Sequence, residues 1–599
     1  MMNVSEYIAD FLVRQGIGHV FVVTGGAVAC LIDSVAKDRR LAYVCTQHEQ
    51  AAAFAVDGYT RVTGKMGAAI VTTGPGVTNL ATGVANLYYD SLPSIFIAGQ
   101  VSTFRLAENA PGVRQLGFQE APHVELMRPI TKYAVLVADP SHIRYELEKA
   151  LYLAVTGRPG PVFLDIPDDV QRMEIDPERM AGFEPPPAPT KDLSGLSLQV
   201  DEALRLLAAA RRPIVVLGAA VKIARQQAQA IEFVEKFGLP TALTWAVWEL
   251  LPTDHPLQTG GFGVSSTRRG NFAIQNADFV LSVGSRLDTH ATGTPIATFA
   301  REAKKVIVEL DAAELNKFMS GGMRVDVPIL SDVRDFFVAL RDKFTAVQVG
   351  DITEWRAKIA EWRERYPVCL PEFRESRGSV NPYVFLEMLS EETAPDDIII
   401  PDCGGNLIQT YQGYRLRRGQ RIFSAFNNSP MGYSLSGSIG ACFANGGRRV
   451  ICITGDGGLQ VNIQELGTVA HHHLPIKIFL FNNHGYGIIQ QTQDDWYGSR
   501  YIASRPQTGL ADPDYVKIAE AYGIRAWTAR SHDDLRQIIR LTLAHPGPAL
   551  CNMEFSQDQR LHPMLKAGRP IEDPNPLLPR EQFFREMLVK PLDSSLCED

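Results

Sequence analysis

The sequence predicts an α/β protein made of three doubly wound parallel-sheet domains. Three observations carry that expectation. Short apolar runs rich in β-branched residues recur along the chain, bounded by Gly or Pro and separated by helix-like segments. Two stretches break the periodicity and divide the runs into three groups of similar size. The chain, at 599 residues, is also too long to fold around one core.

Taken in order, residues 1–175 hold the runs VFVV (20–23), GAAIVTT (67–73), SIFIAG (94–99) and PVFLDIP (161–167), which read as strands. Residues 176–197 lose all periodicity around PPPAP and read as an extended linker. A second group, 198–345, contains PIVVLGAAV, LPTALTW, ADFVLSVGSRLD and KKVIVELD. The segment 346–378 is a connector with a charged helical pattern, ITEWRAKIAEWRERYP. The third group, 379–555, contains DDIIIPDCGGN, RRVICITGDGG, PIKIFLFNN and PALCNMEF. The tail, 556–599, is Pro-rich and is expected to wrap a surface.

Composition narrows the class. With 45% hydrophobic and 21% charged residues the chain is an ordinary globular protein, and a formal charge of -8 argues against a general nucleic-acid surface. No apolar run approaches eighteen residues, so no membrane span is expected. The start, MMNVSEYIADFLVRQG, is amphipathic rather than signal-like. Eight cysteines are scattered without a CxxC pair, which fits reduced thiols and a cytoplasmic location.

The chemistry concentrates in GDGGLQVNIQELGTVAHHHLPIKIFLFNN (455–483). An apolar strand runs into a Gly-rich turn and then a helix, an arrangement suited to a phosphate beyond a strand's carboxyl end. Gly457 and Gly458 let the backbone approach an anion. Asp456 would repel a bare phosphate and makes sense with a hard cation between them. The next strand ends in Asn482-Asn483, which offers an amide oxygen alongside. Either dipeptide alone is an ordinary turn former; their pairing at two strand ends is what suggests a site. His471, His472 and His473 are consecutive, so on a helix they diverge and fit a helix end better than a metal centre.

GDG followed by NN, with Asn483 27 positions after Asp456, resembles the motif of the thiamine-diphosphate superfamily that includes acetolactate synthase and pyruvate decarboxylase. The resemblance implies magnesium on Asp456, Asn483 and Gly485. It places the diphosphate against Gly455, Gly457, Gly458 and Tyr486, with more of its pocket built by Gly404, Gly405 and Asn406 of DCGGN. Met431, in SPMGYSLSGSIGA, falls where that family props the cofactor into a bent shape. In the first group, HEQAAAFAVDGYTRVTG is similar to the family's pyrimidine-binding signature, with Glu49 on its acid. A carboxylate bonded to the aminopyrimidine ring lets the cofactor's own amino nitrogen take the proton from C2. Gly25, Gly26, Ala27, Thr73 and Asn79 fall on cofactor-side turns, and PGVRQLGFQEAP carries Phe118 and Gln119, which the resemblance places facing the reacting carbon. Alone, the GPG following Thr73 is a turn and Phe118 a core residue. His484 is a further candidate beside that carbon. The first and third groups thereby become pyrimidine-binding and diphosphate-binding domains. Because the family builds one site from two subunits, the resemblance implies a homodimer at minimum and a homotetramer beyond it.

The central group resembles the flavin-binding domain of acetolactate synthases, with Gly218, Arg286, Asp311 and Asp332 at the corresponding strand ends, and implies FAD in a non-redox role. The match departs at three places. The arginine that holds the acceptor's carboxylate in that family is here His290, the tryptophan that shapes the acceptor pocket is Thr492, and a lysine after the strand-end Pro is Asp168. An imidazole has neither the charge nor the fork of an arginine. The expectation is a carboligase that decarboxylates a small 2-oxo acid such as pyruvate and passes the acyl unit to a ketone or aldehyde other than a plain 2-oxo acid, a modified sugar among the candidates. The alternatives are a lyase or hydrolase of diketones, a true acetolactate synthase, and a ligand-sensing regulator on the same scaffold.

Overall fold

The computed structural model describes residues 1–187, 193–345, 347–566 and 568–596. Positions 188–192 of the expected linker, residue 346 of the connector, residue 567 and residues 597–599 of the tail, Cys597 included, lie outside the described residues.

Strands β1 His19–Val23, β2 Ala42–Cys45, β3 Gly67–Val71, β4 Ser94–Gln100, β5 Tyr133–Leu136 and β6 Pro161–Pro167 form the first sheet in the order β2-β1-β3-β4-β6-β5. The middle sheet has β7 Pro213–Leu217, β8 Thr241–Leu243, β9 Phe279–Val283, β10 Lys304–Glu309 and β11 Val327–Leu330, ordered β8-β7-β9-β10-β11. In the third, β12 Ile398–Pro401, β13 Arg421–Ile422, β14 Val450–Gly455, β15 Ile476–Asn482, β16 Arg525–Ala529 and β17 Ala549–Glu554 run β13-β12-β14-β15-β17-β16. Every pair in these three sheets is parallel. The outer sheets share one strand order, and all three reverse direction beside the first strand, where a crevice opens at the carboxyl ends. β4, β6 and β15 are buried at every position, as helices on both faces require.

The helices that position the site are α1 Glu49–Thr63 and α2 Pro75–Tyr89 in the first domain, and α3 Gly405–Gly413, α4 Tyr433–Ala444, α5 Asp456–Val461, α6 Glu465–His471 and α7 Gly487–Tyr497 in the third. Helix α1 starts where the His48 ring accepts from Gln50 N–H and stops at Gly64, whose φ of 64° is open to glycine. It crosses α4 with backbones in contact. A Cβ on Gly58 would lie 2.0 Å from the Gly437 carbonyl oxygen, and one on Gly440 would lie 1.8 Å from that of Ala55. Polar groups flank the crossing: Tyr433 OH donates to Asp57, which also holds Arg61. The first and third domains are therefore joined face to face within one chain.

The tail wraps the middle domain. Arg268 donates to the carbonyls of Pro574 and Pro576, Gln275 and Arg301 both bind Glu572, and Trp362 Nε1 reaches Glu586. No helix among the described residues is long and apolar enough to cross a membrane.

Candidate active site

The turn after β14 is organised by the Asp456 carboxylate. Oδ1 accepts the Gly457 N–H at 2.7 Å and Oδ2 accepts the Gly485 N–H at 2.8 Å, so one side chain ties the ends of β14 and β15 together. Burial pushes this carboxyl up to about 6. Beside it Asn483 has no side-chain hydrogen-bond partner among the described residues. Gly457 faces Met431 and Tyr486, since a Cβ there would meet the Tyr486 ring at 2.2 Å and the Met431 methyl at 3.0 Å. A second buried carboxylate, Asp402, accepts from the backbone of Cys403, Gly432 and Ser434 and from the Ser434 hydroxyl, and so fixes where α4 begins. Gly404, at φ 80°, caps α3, whose residue Asn406 bonds back to Asp402 N–H and the Cys403 carbonyl.

The expected histidines fall differently. His471 and His472 meet edge to face, and His473 leaves the helix at φ 49°. Both ring nitrogens of His484 are held at 2.8 Å by carboxylates, one by Asp512 and one by Glu554, and these raise its pKa against the opposing effect of burial. No ring nitrogen is left for a reacting group.

In the first domain Glu49 sits in the first turn of α1, buried, with Oε2 accepting from Asn79 Nδ2 at 3.0 Å. Thr73 bonds to Gln100 and to the Gln119 carbonyl. Gln119 has φ 67°, and Phe118 next to it is 85% exposed. Gly25 packs on Thr72, nothing fills the space beside Gly26, and the Ala27 carbonyl accepts from Gln171. The two domains meet here: Glu465 of α6, a carboxyl that burial pushes up to about 7, accepts the N–H groups of Gln47 and His48 just before Glu49.

Of the central residues, Gly218 packs against the Gly284 carbonyl, Arg286 is paired with Glu314 at 2.9 Å, and Asp311 and Asp332 cap the helices that follow them. Trp245, just past β8, stacks on Tyr411 at 5.2 Å and lies tilted against the His290 ring at 4.9 Å. Gly218, Arg286, Asp311 and Asp332 are thus each engaged within the protein. Asp168 accepts the Ser102 hydroxyl. Thr492 lines a cavity of about 330 Å³ with Ile488, Trp496, Val264 and Met564.

Three models of one family match in sequence: Thiamine pyrophosphate enzyme, N-terminal TPP binding domain, over residues 2–125; its central domain over 200–340; and its C-terminal TPP binding domain over 402–553. The probable acetolactate synthase large subunit of Methanocaldococcus jannaschii is 32% identical over 581 residues, 95% of this chain and 94% of that one. The chain belongs to the thiamine pyrophosphate enzymes. Within them it is acetolactate synthase-like, as the acetolactate synthase of Arthrospira platensis (31% identical, covering 94% of this chain and 96% of the relative) and the isozyme 1 large subunit of Escherichia coli K12 (31%, 94% and 96%) also show.

The third-domain turn fits a metal–diphosphate. Among the described residues no group of three or more His, Cys, Asp or Glu side chains could hold a metal alone. Asp456 with an unpartnered amide oxygen on Asn483 suits a hard cation that takes its remaining ligands from phosphate and water. Sequence reading for this thiamine pyrophosphate enzyme passed over Glu465, Asp402, Gln100, His123 and Asp165. Asp165 alone carried a signal, as a polar residue inside the apolar run PVFLDIP.

Proposed function

We propose that this acetolactate synthase-like enzyme is a carboligase that decarboxylates a small 2-oxo acid and transfers the acyl unit to a carbonyl acceptor other than a plain 2-oxo acid. The observation that carries the chemistry is the Asp456 carboxylate tying two strand ends beside a free Asn483 amide, in a chain that also keeps Glu49 buried and oriented by Asn79. Asp456 and Asn483 would hold magnesium together with the Gly485 carbonyl, and Met431 would support the cofactor beside Gly457. Bound there, thiamine diphosphate supplies the electron sink on which a 2-oxo acid loses CO2. Glu49 accepts the hydrogen bond of the pyrimidine ring and holds the proton that moves with activation. Phe118 and Gln119 border the donor. His484, locked between two carboxylates, shapes the loop of Asn483 and Gly485 rather than transferring protons.

The acceptor assignment rests on His290 and Thr492. His290 lies with its ring tilted against Trp245 in place of a cationic fork, and Thr492 leaves the cavity beside α7 open to a bulkier partner. A flavin is left out of this reading. A homodimer is included, because Phe104, Val113, Leu116 and Phe118 expose apolar area along one loop of a single chain. The free cysteines support a reducing, cytoplasmic setting. The test is an acceptor screen with pyruvate as donor, following CO2 release and product mass. Acyl transfer to aldehydes, ketones or keto-sugars is expected; fast acetolactate formation from pyruvate alone would make the protein a true acetolactate synthase.

A further inference from the structure

A buried polar layer lies under the two first-domain segments that face the cofactor. Gln100 ends β4, Asp165 lies on the paired strand β6, and His123 opens the short helix His123–Met127; all three are at most 2% exposed. Their hydrogens can be assigned without ambiguity. The Gly74 backbone N–H can only donate, and it points at His123 Nε2 at 2.9 Å, so Nε2 carries no proton. Gln100 Oε1 accepts the Val101 N–H, which can only donate and so fixes the orientation of its amide. The two amide hydrogens then go to Asp165 Oδ2 at 3.0 Å and the Ala121 carbonyl at 3.1 Å. The imidazole proton therefore sits on Nδ1 and is given to Asp165, whose oxygens lie 3.0 and 3.1 Å away. Asp165 sets the tautomer, and the tautomer sets the acceptor that faces Gly74.

What rests on that acceptor is the catalytic side of the domain. Gly74 has φ 64°, and a Cβ on it would lie 2.6 Å from the Gln119 carbonyl, so the turn and the Gln119 loop are packed backbone on backbone. Gly74 also caps α2, the helix from which Asn79 holds Glu49, while a Cβ on Gly76 would lie 3.6 Å from Glu49 Oε1. From the far side the loop is pinned by Glu120, which accepts from Ala107, Leu116 and Gly117 N–H groups. Remove the Nε2 acceptor and a buried N–H is left without a partner, a penalty that the turn can avoid by moving.

We propose that His123, with its tautomer set by Asp165, is a positioning residue that holds the Gly74 turn and the Gln119 loop, and through them Glu49, in register with the cofactor. This rests on the thiamine-diphosphate reading but not on the identity of the acceptor.

The test compares His123→Gln with His123→Leu. Both side chains come close to filling the imidazole's space, but only Gln can offer an oxygen near the place of Nε2. In the chain without cofactor, amide hydrogen exchange is measured over residues 73–77 and 117–121. In the chain loaded with thiamine diphosphate and magnesium, cofactor affinity and the exchange rate of the C2 proton are measured, neither of which needs a substrate. For His123→Leu, faster amide exchange in both segments and C2 exchange slowed about tenfold or more are expected, with cofactor affinity within about threefold of the parent. His123→Gln should recover most of both. Equal behaviour of the two variants, or parent-like C2 exchange in His123→Leu, overturns the proposal and leaves His123 as filler. A parent that exchanges its C2 proton yet turns over no 2-oxo acid overturns the carboligase reading instead, and the Gln–Leu comparison still decides the role of His123.

Discussion

Acidification through pH 6 is expected to weaken magnesium binding, by an amount that follows from the burial of Asp456. Its carboxyl rises from an ordinary 3.8 to about 6 in the chain without metal. At about 1.4 kcal/mol per pH unit this makes the ionised group about 3 kcal/mol less favourable in the folded chain than in the unfolded one. The sign is that of a raised acid: the neutral form's contribution to stability is complete below pH 3.8 and is lost as pH climbs through 6. A bound cation reverses the balance, because it requires the carboxylate. Magnesium affinity at saturating thiamine diphosphate should therefore be flat above about pH 7 and fall about tenfold per unit below 6, with about one proton released per ion in the acid range. Calorimetric titration in two buffers of different ionisation enthalpy measures both. In Asp456→Asn the proton release should vanish and affinity should be low at every pH. A parent that shows no pH slope between 5 and 6 and releases no proton would refute the assignment of Asp456 as the metal's anionic ligand.

Glu49→Gln should bind cofactor and melt like the parent while losing about 10²–10⁴-fold in C2 proton exchange and kcat; parent-like exchange would remove Glu49 from activation. Gly58→Ala drives a methyl into the Gly437 carbonyl, so the first urea transition should drop by about 1–3 kcal/mol or more, and an unchanged midpoint would contradict the crossing as described. His290→Arg combined with Thr492→Trp should raise acetolactate formation from pyruvate tenfold or more, on the scale of about 1.5–3 kcal/mol for a charged hydrogen bond; no gain in product yield would detach acceptor choice from these positions. The purified enzyme should show no visible flavin band, and a stoichiometric band would overturn the omission of a flavin from the proposed function.

The fold was legible because parallel strands covered on both faces must be continuous apolar runs, and these runs end in the glycines and asparagines that open a crevice. The places of Asp456 and Glu49 were legible too, each an acid in the first turn of a helix that follows a strand, although only the family resemblance singled out Glu49. His484 shows the limit. Its neighbours in the chain place it near the reacting carbon, but the carboxylates that take its two nitrogens come from positions 512 and 554, and no local pattern announces them. His123 was missed because a histidine after a proline looks like any loop residue until three strands converge on it. In the central domain, aspartates at strand ends suit a nucleotide ribose and cap a helix equally well; Asp311 and Asp332 cap the helices that follow them.

The glycine crossing of α1 and α4 also bears on how the enzyme can move. Most domain joints slide because side chains between them swap rotamers like teeth on a worn gear. At the centre of this joint carbonyl meets glycine directly, Tyr433 packs edge-on against Phe54 and donates to Asp57, and Glu465 clasps the backbone ahead of Glu49. Within one chain α1, α4 and the start of α6 are thereby locked into one unit. Opening and closing around substrates must then fall to parts hung outside it: the exposed loop that carries Phe118, and the helix and tail segment around Thr492 and Met564.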